Sequence, residues 1–189
     1  MSGDRKPVYL SGRWQGPGVP RLLLVDDDPM ARRAMVRFLS RAGFEVVSVG
    51  SGRAALTLID DGEPFDAVVV DLDMPGMDGL TVIRELYARR PELPAGLWSG
   101  SARLDELTPE ELVHARFVKH KLQPIGELVQ AVCMMIYGAR ERAGSDGPTE
   151  RSGNPGNGGR GSNGDGHNEA RAPIESRRKR AYDLPAAAL

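Results

Sequence analysis

Between residues 21 and 143, short apolar runs alternate with stretches whose apolar positions recur at helical spacing. Arg21 to Val25 is a run of aliphatics that stops at three aspartates, as expected of a strand buried on both faces. Pro29 then stands where a first helical turn tolerates proline, and Met30, Ala34, Met35, Phe38 and Leu39 follow at helical spacing up to Gly43. The same alternation continues. Strands are predicted at Phe44 to Val49, Asp66 to Val70, Ala95 to Trp98 and Arg116 to His120. Helices are predicted at Arg53 to Asp60, Gly79 to Arg90, a fourth starting at Thr108, and a last one carrying Leu128, Val129, Val132, Met135 and Ile136. The fourth start rests on Thr108 with Glu111 three residues on, a capping-box signature. Strands separated by helical crossovers of this length pair in parallel, and each crossover is right-handed. The expected fold is an α/β, doubly wound, five-stranded parallel sheet covered on both faces.

The ends of the chain read differently. Residues 1–20 are rich in Gly, Pro and charge and are expected to form a flexible leader, with no signal-peptide core. From Gly144 the composition turns to Gly, Pro, Asn and Arg, and residues 144–189 are expected to be a disordered tail. Its basic cluster, Arg177 to Arg180, reads first as a solvated charge run. The domains are thus a leader at 1–20, a folded domain at 21–143 and a tail at 144–189.

Charge and cysteine content remove several classes of function. With 25 Lys and Arg against 26 Asp and Glu, broad electrostatic capture of nucleic acid is not the main activity. No direct DNA binding is expected. A single cysteine, Cys133, excludes an internal disulfide framework and is read as helix packing. No run approaches the roughly 20 apolar residues of a membrane span, so no membrane insertion is expected. Together these features suggest the cytoplasm.

The chemistry lies at the strand ends. In an open parallel sheet, functional groups collect outside the carboxyl ends of the strands. Here the first strand ends in Asp26, Asp27 and Asp28, the third in Asp71, the fourth in Ser99 and the fifth in Lys121. Two carboxylates 4 Å apart repel by about 4 kcal/mol at an effective dielectric of 20, so a cluster of three calls for a cation. Oxygen-only ligation suits Mg²⁺. A divalent ion beside a free carboxylate, a hydroxyl and an ammonium is equipment for phosphoryl transfer. Taken alone, the three aspartates also read as a helix N-terminal cluster, and Asp71 with Asp73 as the D-x-D of an aspartate-nucleophile phosphatase.

These residues also carry a resemblance. The run from Leu22 to Pro29, LLLVDDDP, resembles the opening of a response-regulator receiver domain. The run from Asp71 to Gly79, DLDMPGMDG, is similar to that family's phosphoacceptor loop. Trp98-Ser-Gly100 resembles its fourth-strand hydroxyl motif and Lys121 its fifth-strand lysine, at spacings of 28 and 22 residues from Asp71 to Ser99 to Lys121. The resemblance covers about 21–137 and implies a flavodoxin-like receiver fold. It implies that Asp71 accepts a phosphoryl group from a histidine kinase or phosphotransfer protein. It further implies that Asp26 and Asp27 hold Mg²⁺ with Asp71 and the main-chain carbonyl of Asp73, and that Ser99 and Lys121 contact the phosphoryl group. Lys119 is the rival for the lysine position. The implied protein is a regulator and not an enzyme, of single-domain type, signalling to an unknown output protein by protein–protein contact. The alternative is a phosphorylation-independent interaction module. Three positions depart from the pattern: Leu122 where proline is usual, Val118 where an aromatic is usual with Phe117 beside it, and His114 where glycine is usual.

Overall fold

A computed structural model describes residues 13–145. Five strands, β1 (Arg21–Val25), β2 (Glu45–Val49), β3 (Ala67–Val70), β4 (Ala95–Ser99) and β5 (Ala115–His120), form one parallel sheet in the order β2-β1-β3-β4-β5. Four α-helices, α1 (Pro29–Arg41), α2 (Gly52–Asp60), α3 (Gly79–Arg89) and α4 (Ile125–Ser145), cover its two faces. This is the doubly wound sheet the periodicity predicts.

Alternation along each strand sorts the core into two layers, because successive side chains point to opposite faces. Leu23, Val25, Val68, Val70 and Leu97 meet α2 and α3 through Ala55, Ile59, Val82 and Leu86. Leu22, Leu24, Val69 and Trp98 meet α1 and α4 through Met35, Leu39, Leu128, Val132 and Ile136. Cys133 is fully buried in the second layer, and burial pushes its thiol up to about 11. It is a packing residue, as expected.

Three expectations need correction. The first is the leader. Within residues 13–20, Trp14 is buried, donates its backbone N–H to the Ala42 carbonyl at 2.8 Å and its indole N–H to Gly18 at 2.9 Å. Its ring lies 6.3 Å from that of Phe44, and the Arg140 guanidinium stands 5.2 Å from its centroid. A tryptophan buries enough apolar surface to dock a segment whose overall composition reads as flexible. Residues 1–12 lie outside the described residues.

The second is the fourth crossover. A 3₁₀ turn spans Ala102–Glu106, and no α-helix lies between it and β5. The capping box does form: Thr108 N–H donates to Glu111 Oε2 at 2.8 Å, and Glu111 N–H to Thr108 Oγ1 at 3.4 Å. One turn closes, with Leu112 N–H on the Thr108 carbonyl at 3.2 Å. The chain then turns extended at Ala115. Fewer than two turns fit between cap and strand, too few to recover the cost of helix nucleation. The third correction is a boundary. Helix α4 runs to Ser145, so residues 144 and 145, read as the start of the tail, are helical. The rest of the expected tail, 146–189, lies outside the described residues.

Candidate functional site

The switch point of the strand order falls between β1 and β3, whose carboxyl ends open a crevice. Val25 is in register with Val70, so the next residues, Asp26 and Asp71, come out side by side. Their backbones are fixed by ladder hydrogen bonds, Asp71 N–H to Val25 O at 2.8 Å and Asp26 N–H to Val49 O at 3.1 Å. Asp26 is fully buried, and Asp71 is 8% exposed. Carboxylate oxygens of Asp26, Asp27 and Asp71 lie within 4.8 Å of one another.

Lys121 closes this cluster from the end of β5. Its ammonium donates to Asp26 Oδ2 and to Asp71 Oδ2, both at 2.8 Å. The second oxygen of each carboxylate accepts a backbone N–H: Asp28 to Asp26 Oδ1 at 2.9 Å, and Leu72 to Asp71 Oδ1 at 2.8 Å. Burial opposes the lysine's charge most strongly of any single influence. The hydrogen bonds and attraction of Asp26 and Asp71 together outweigh it and raise its pKa above the ordinary value. Three carboxylates against one ammonium still leave the crevice short of positive charge.

Ser99 is buried at the end of β4 and is tied to Lys121 by the Lys121 N–H to Ser99 O hydrogen bond at 2.8 Å. Its Oγ accepts the Ser101 N–H at 3.4 Å. Lys119 points elsewhere, paired with Glu127 on α4 at 2.8 Å. Geometry thus puts Lys121 and not Lys119 at the crevice. His120 is engaged with Asp105 at 3.1 Å. Asp28 leaves the cluster to cap α1, accepting from Met30 and Ala31 N–H groups that hold its carboxyl below the usual range.

The loop from Asp71 to Gly79 folds tightly over the crevice. Gly76 takes a left-handed conformation at φ 78°, Asp78 caps α3 through Thr81 N–H, and Gly79 N–H returns to the Leu72 carbonyl at 2.8 Å. A Cβ on Gly79 would stand 2.2 Å from the Asp71 carbonyl oxygen, so only glycine fits that approach. Asp73 is exposed beside it and pairs with Arg103 of the 3₁₀ turn at 3.1 Å. Sequence reading missed Arg103, because it stands at no strand end and belongs to a segment without periodicity. It also missed Arg32, whose guanidinium donates to the carbonyls of Asp26 and Asp27.

Residues 22–131 match the model of the response regulator receiver domain. The chain belongs to that family. Its receiver domain is 32% identical over 139 residues to the transcriptional regulatory protein AruR of Pseudomonas aeruginosa, covering 71% of this chain and 56% of AruR. It is 40% identical over 73 residues to the sensor protein TorS of Escherichia coli, covering 39% of this chain and 8% of TorS. The chain therefore spans about half of the first of these relatives and a small part of the second. Among solved structures, the response regulator protein TrrA from Thermotoga maritima in complex with Mg(2+)-BeF superposes with a TM-score of 0.57 at 26% identity, covering 62% of this chain and 99% of that one. A CheY-like receiver domain protein from Methanospirillum hungatei superposes with a TM-score of 0.59 at 21% identity, covering 66% and 99%, a likeness that bears on fold alone. The receiver domain is thus homologous to those of two-component response regulators. No helix among the described residues is long and apolar enough to cross a membrane.

Proposed function

We propose that this receiver domain is a phosphoacceptor whose reactive group is the Asp71 carboxylate. The observation that carries the reading is the Asp26–Lys121–Asp71 bridge, which holds one buried acceptor carboxylate beside a second carboxylate and an ammonium. Asp71 Oδ2 would attack the phosphorus of a donor phosphohistidine. The new P–O bond forms as the donor's P–N bond breaks, and the imidazole leaves. Lys121 then stays beside the new acyl phosphate, and Ser99 sits at the neighbouring strand end to donate its hydroxyl proton to a phosphoryl oxygen. The donor set fits a hard cation. Clustered carboxylate oxygens with a deficit of positive charge are ligands for Mg²⁺, with Asp26, Asp27 and Asp71 supplying side chains and Asp73 its main-chain carbonyl. When bound, the ion would neutralise phosphoryl oxygens.

The donor is a histidine kinase or phosphotransfer protein, the class to which a receiver domain answers. Two large apolar side chains stand exposed beside the crevice residues, Met30 in the first turn of α1 and Leu122 next to Lys121. They suit contact with a protein donor better than capture of a small phosphoester. Output then passes by protein–protein contact, as a regulator and not an enzyme.

Incubation with Mg²⁺ and a small acyl phosphate tests the reading. An alkali-labile adduct of one phosphoryl mass is expected on the wild-type chain and absent from Asp71→Asn. The same adduct at full yield in Asp71→Asn would end it. A phosphorylation-independent interaction module draws support from the 3₁₀ turn that replaces the expected helix between β4 and β5, and from Leu122, which alter the region between β4 and α4. The Trp98 ring lies 5.0 Å from the Lys121 ammonium, so its fluorescence should respond to Mg²⁺ once Trp14 is replaced. A flat titration would favour the module.

A further inference from the structure

Arg32, half-buried near the start of α1, sends its side chain back past the helix end. Its Nη1 donates to the main-chain carbonyl of Asp26 at 2.5 Å and to that of Asp27 at 3.4 Å. Gly50, just past the end of β2, leaves room for the guanidinium. A Cβ there would stand 3.2 Å from Nη1 and 3.6 Å from Cζ. Backbone conformation does not call for this glycine, because Gly50 is not among the residues of positive φ. The preceding carbonyl, that of Val49, accepts the Asp26 N–H at 3.1 Å. Asp26 is thus held from its amide side by β2 and from its carbonyl side by Arg32.

Helix stability does not account for this placement. A cation near the start of a helix opposes the macrodipole, and the first turn of α1 carries no acidic side chain to offset it. Asp27 supplies a second observation. The Asp26 carboxylate is fixed by Lys121 and by the Asp28 N–H. The Asp27 carboxylate makes no hydrogen bond or ion pair among the described residues, yet an oxygen of it lies within 4.8 Å of oxygens of Asp26 and Asp71. Like charges that close repel. The direction of Asp27 is therefore set by its backbone, and Arg32 is the side chain that grips that backbone.

We infer that Arg32 is a positioning residue: by holding the two main-chain carbonyls it aims the Asp26 and Asp27 carboxylates into the crevice, and so sets the affinity of the crevice for a divalent cation. The inference rests on the phosphoacceptor reading, in which those carboxylates hold Mg²⁺, and adds to it a residue outside the ligand set. The sign of the effect separates this role from a purely electrostatic one. A guanidinium beside the crevice repels a cation, so loss of charge alone would tighten binding, whereas loss of positioning weakens it.

Calorimetric titration of the full chain with Mg²⁺ tests this. Arg32→Met should weaken binding by about tenfold or more, as loss of groups that orient metal ligands does. Arg32→Lys, which keeps the charge and a donor, should recover part of the loss, and the neighbouring surface variant Arg33→Gln should keep the wild-type affinity. At saturating Mg²⁺ the rate of acyl-phosphate labelling of Arg32→Met should return to the wild-type value, because Arg32 makes no contact with Asp71. Thermal melts in chelator report folding, and should Arg32→Met not fold, Arg32→Gln takes its place with the same expected loss. Equal or tighter Mg²⁺ binding without the guanidinium, no recovery in Arg32→Lys, or a labelling rate still depressed at saturating Mg²⁺ would each overturn the inference and leave the phosphoacceptor reading standing. A wild-type chain that binds no Mg²⁺ would overturn both.

Discussion

Replacing Lys121 by methionine isolates the ammonium that bridges Asp26 and Asp71 in the acidic crevice. The methionine keeps most of the apolar stem, so the change removes charge more than volume. Each lysine–carboxylate contact is 2.8 Å long, and the lysine side chain is only 20% exposed. At an effective dielectric of 20, one such contact is worth about 6 kcal/mol of attraction. Desolvating the three charged groups offsets much of the sum, so the pair energies cannot simply be added. Measured losses on removing one partner of a buried pair run at about 3–5 kcal/mol, because the abandoned charge stays buried. Asp26 makes this the relevant case, being fully buried, with the Asp28 N–H as its carboxylate's other partner among the described residues. Urea denaturation in chelator should therefore show Lys121→Met destabilised by about 3–5 kcal/mol relative to wild type. Adding Asp26→Asn should recover a large part of that loss, since the carboxylate left unpaired is then neutral. Added Mg²⁺ should stabilise the single variant more than the wild type, because binding to the folded state alone contributes RT ln(1 + [L]/Kd). A loss below about 1 kcal/mol, or the same loss in the Asp26→Asn background, would refute the view that Lys121 is the crevice's balancing charge.

Four further outcomes follow from the structure. Gly79→Ala places a methyl 2.2 Å from the Asp71 carbonyl oxygen and should cost about 1–3 kcal/mol or more while slowing acyl-phosphate labelling. Gly126→Ala, with nothing within 4 Å, should be neutral or stabilising by up to about 1 kcal/mol in the same melts. Trp14→Ala should lower stability by about 3–5 kcal/mol, and a change below about 1 kcal/mol would return residues 13–20 to a loosely held leader. The Cys133 thiol, ordinarily near 9.0 and pushed up to about 11 by burial, keeps its proton longer in the folded chain than in the unfolded one. Its contribution is complete below about pH 9 and is lost between there and pH 11, with a slope of at most about 1.4 kcal/mol per pH unit that Cys133→Ala should abolish in alkaline melts. Native-state alkylation at pH 8 should correspondingly be slow until denaturant is added.

β1, β3 and β4 are legible because burial on both faces leaves continuous apolar runs, and the crevice is legible because these strands and the more exposed β5 lead into Asp26, Asp71, Ser99 and Lys121. Topology then does the rest, since register at Val25 and Val70 leaves the two aspartates no choice but to be neighbours. What stayed hidden depends on distance in the chain or on room to fold. Trp14 carries no periodicity of its own and packs on Phe44 and Arg140, contacts set by the finished fold. The cap at Thr108 is locally correct, yet a helix needs space beyond its cap, and β5 begins too soon. Arg103 meets Asp73 by position, from a 3₁₀ turn whose conformation the residue pattern does not determine.

The departure at Val118 finds its physical reason in β5. Between Ala115 and Val118 the strand carries one more residue than β4 does between Ala95 and Leu97, a bulge that turns successive side chains to new faces. Val118 consequently packs with the α2–α3 layer, and Phe117 with the α1–α4 layer. Phe117 fits there because its ring lies against Gly96 of β4, where a Cβ would meet the ring at 2.4 Å. The aromatic that receiver domains usually carry three residues before the lysine is thus displaced by one position along the strand and onto the other side of the sheet, with a glycine opposite to receive it. Rearrangement at Ser99 and Lys121 would reach Phe117 through β4 and β5 themselves, and from there the layer under α4. Under the proposed function, a rearrangement at the crevice would be passed more directly to α4 than to the 3₁₀ turn at Ala102–Glu106.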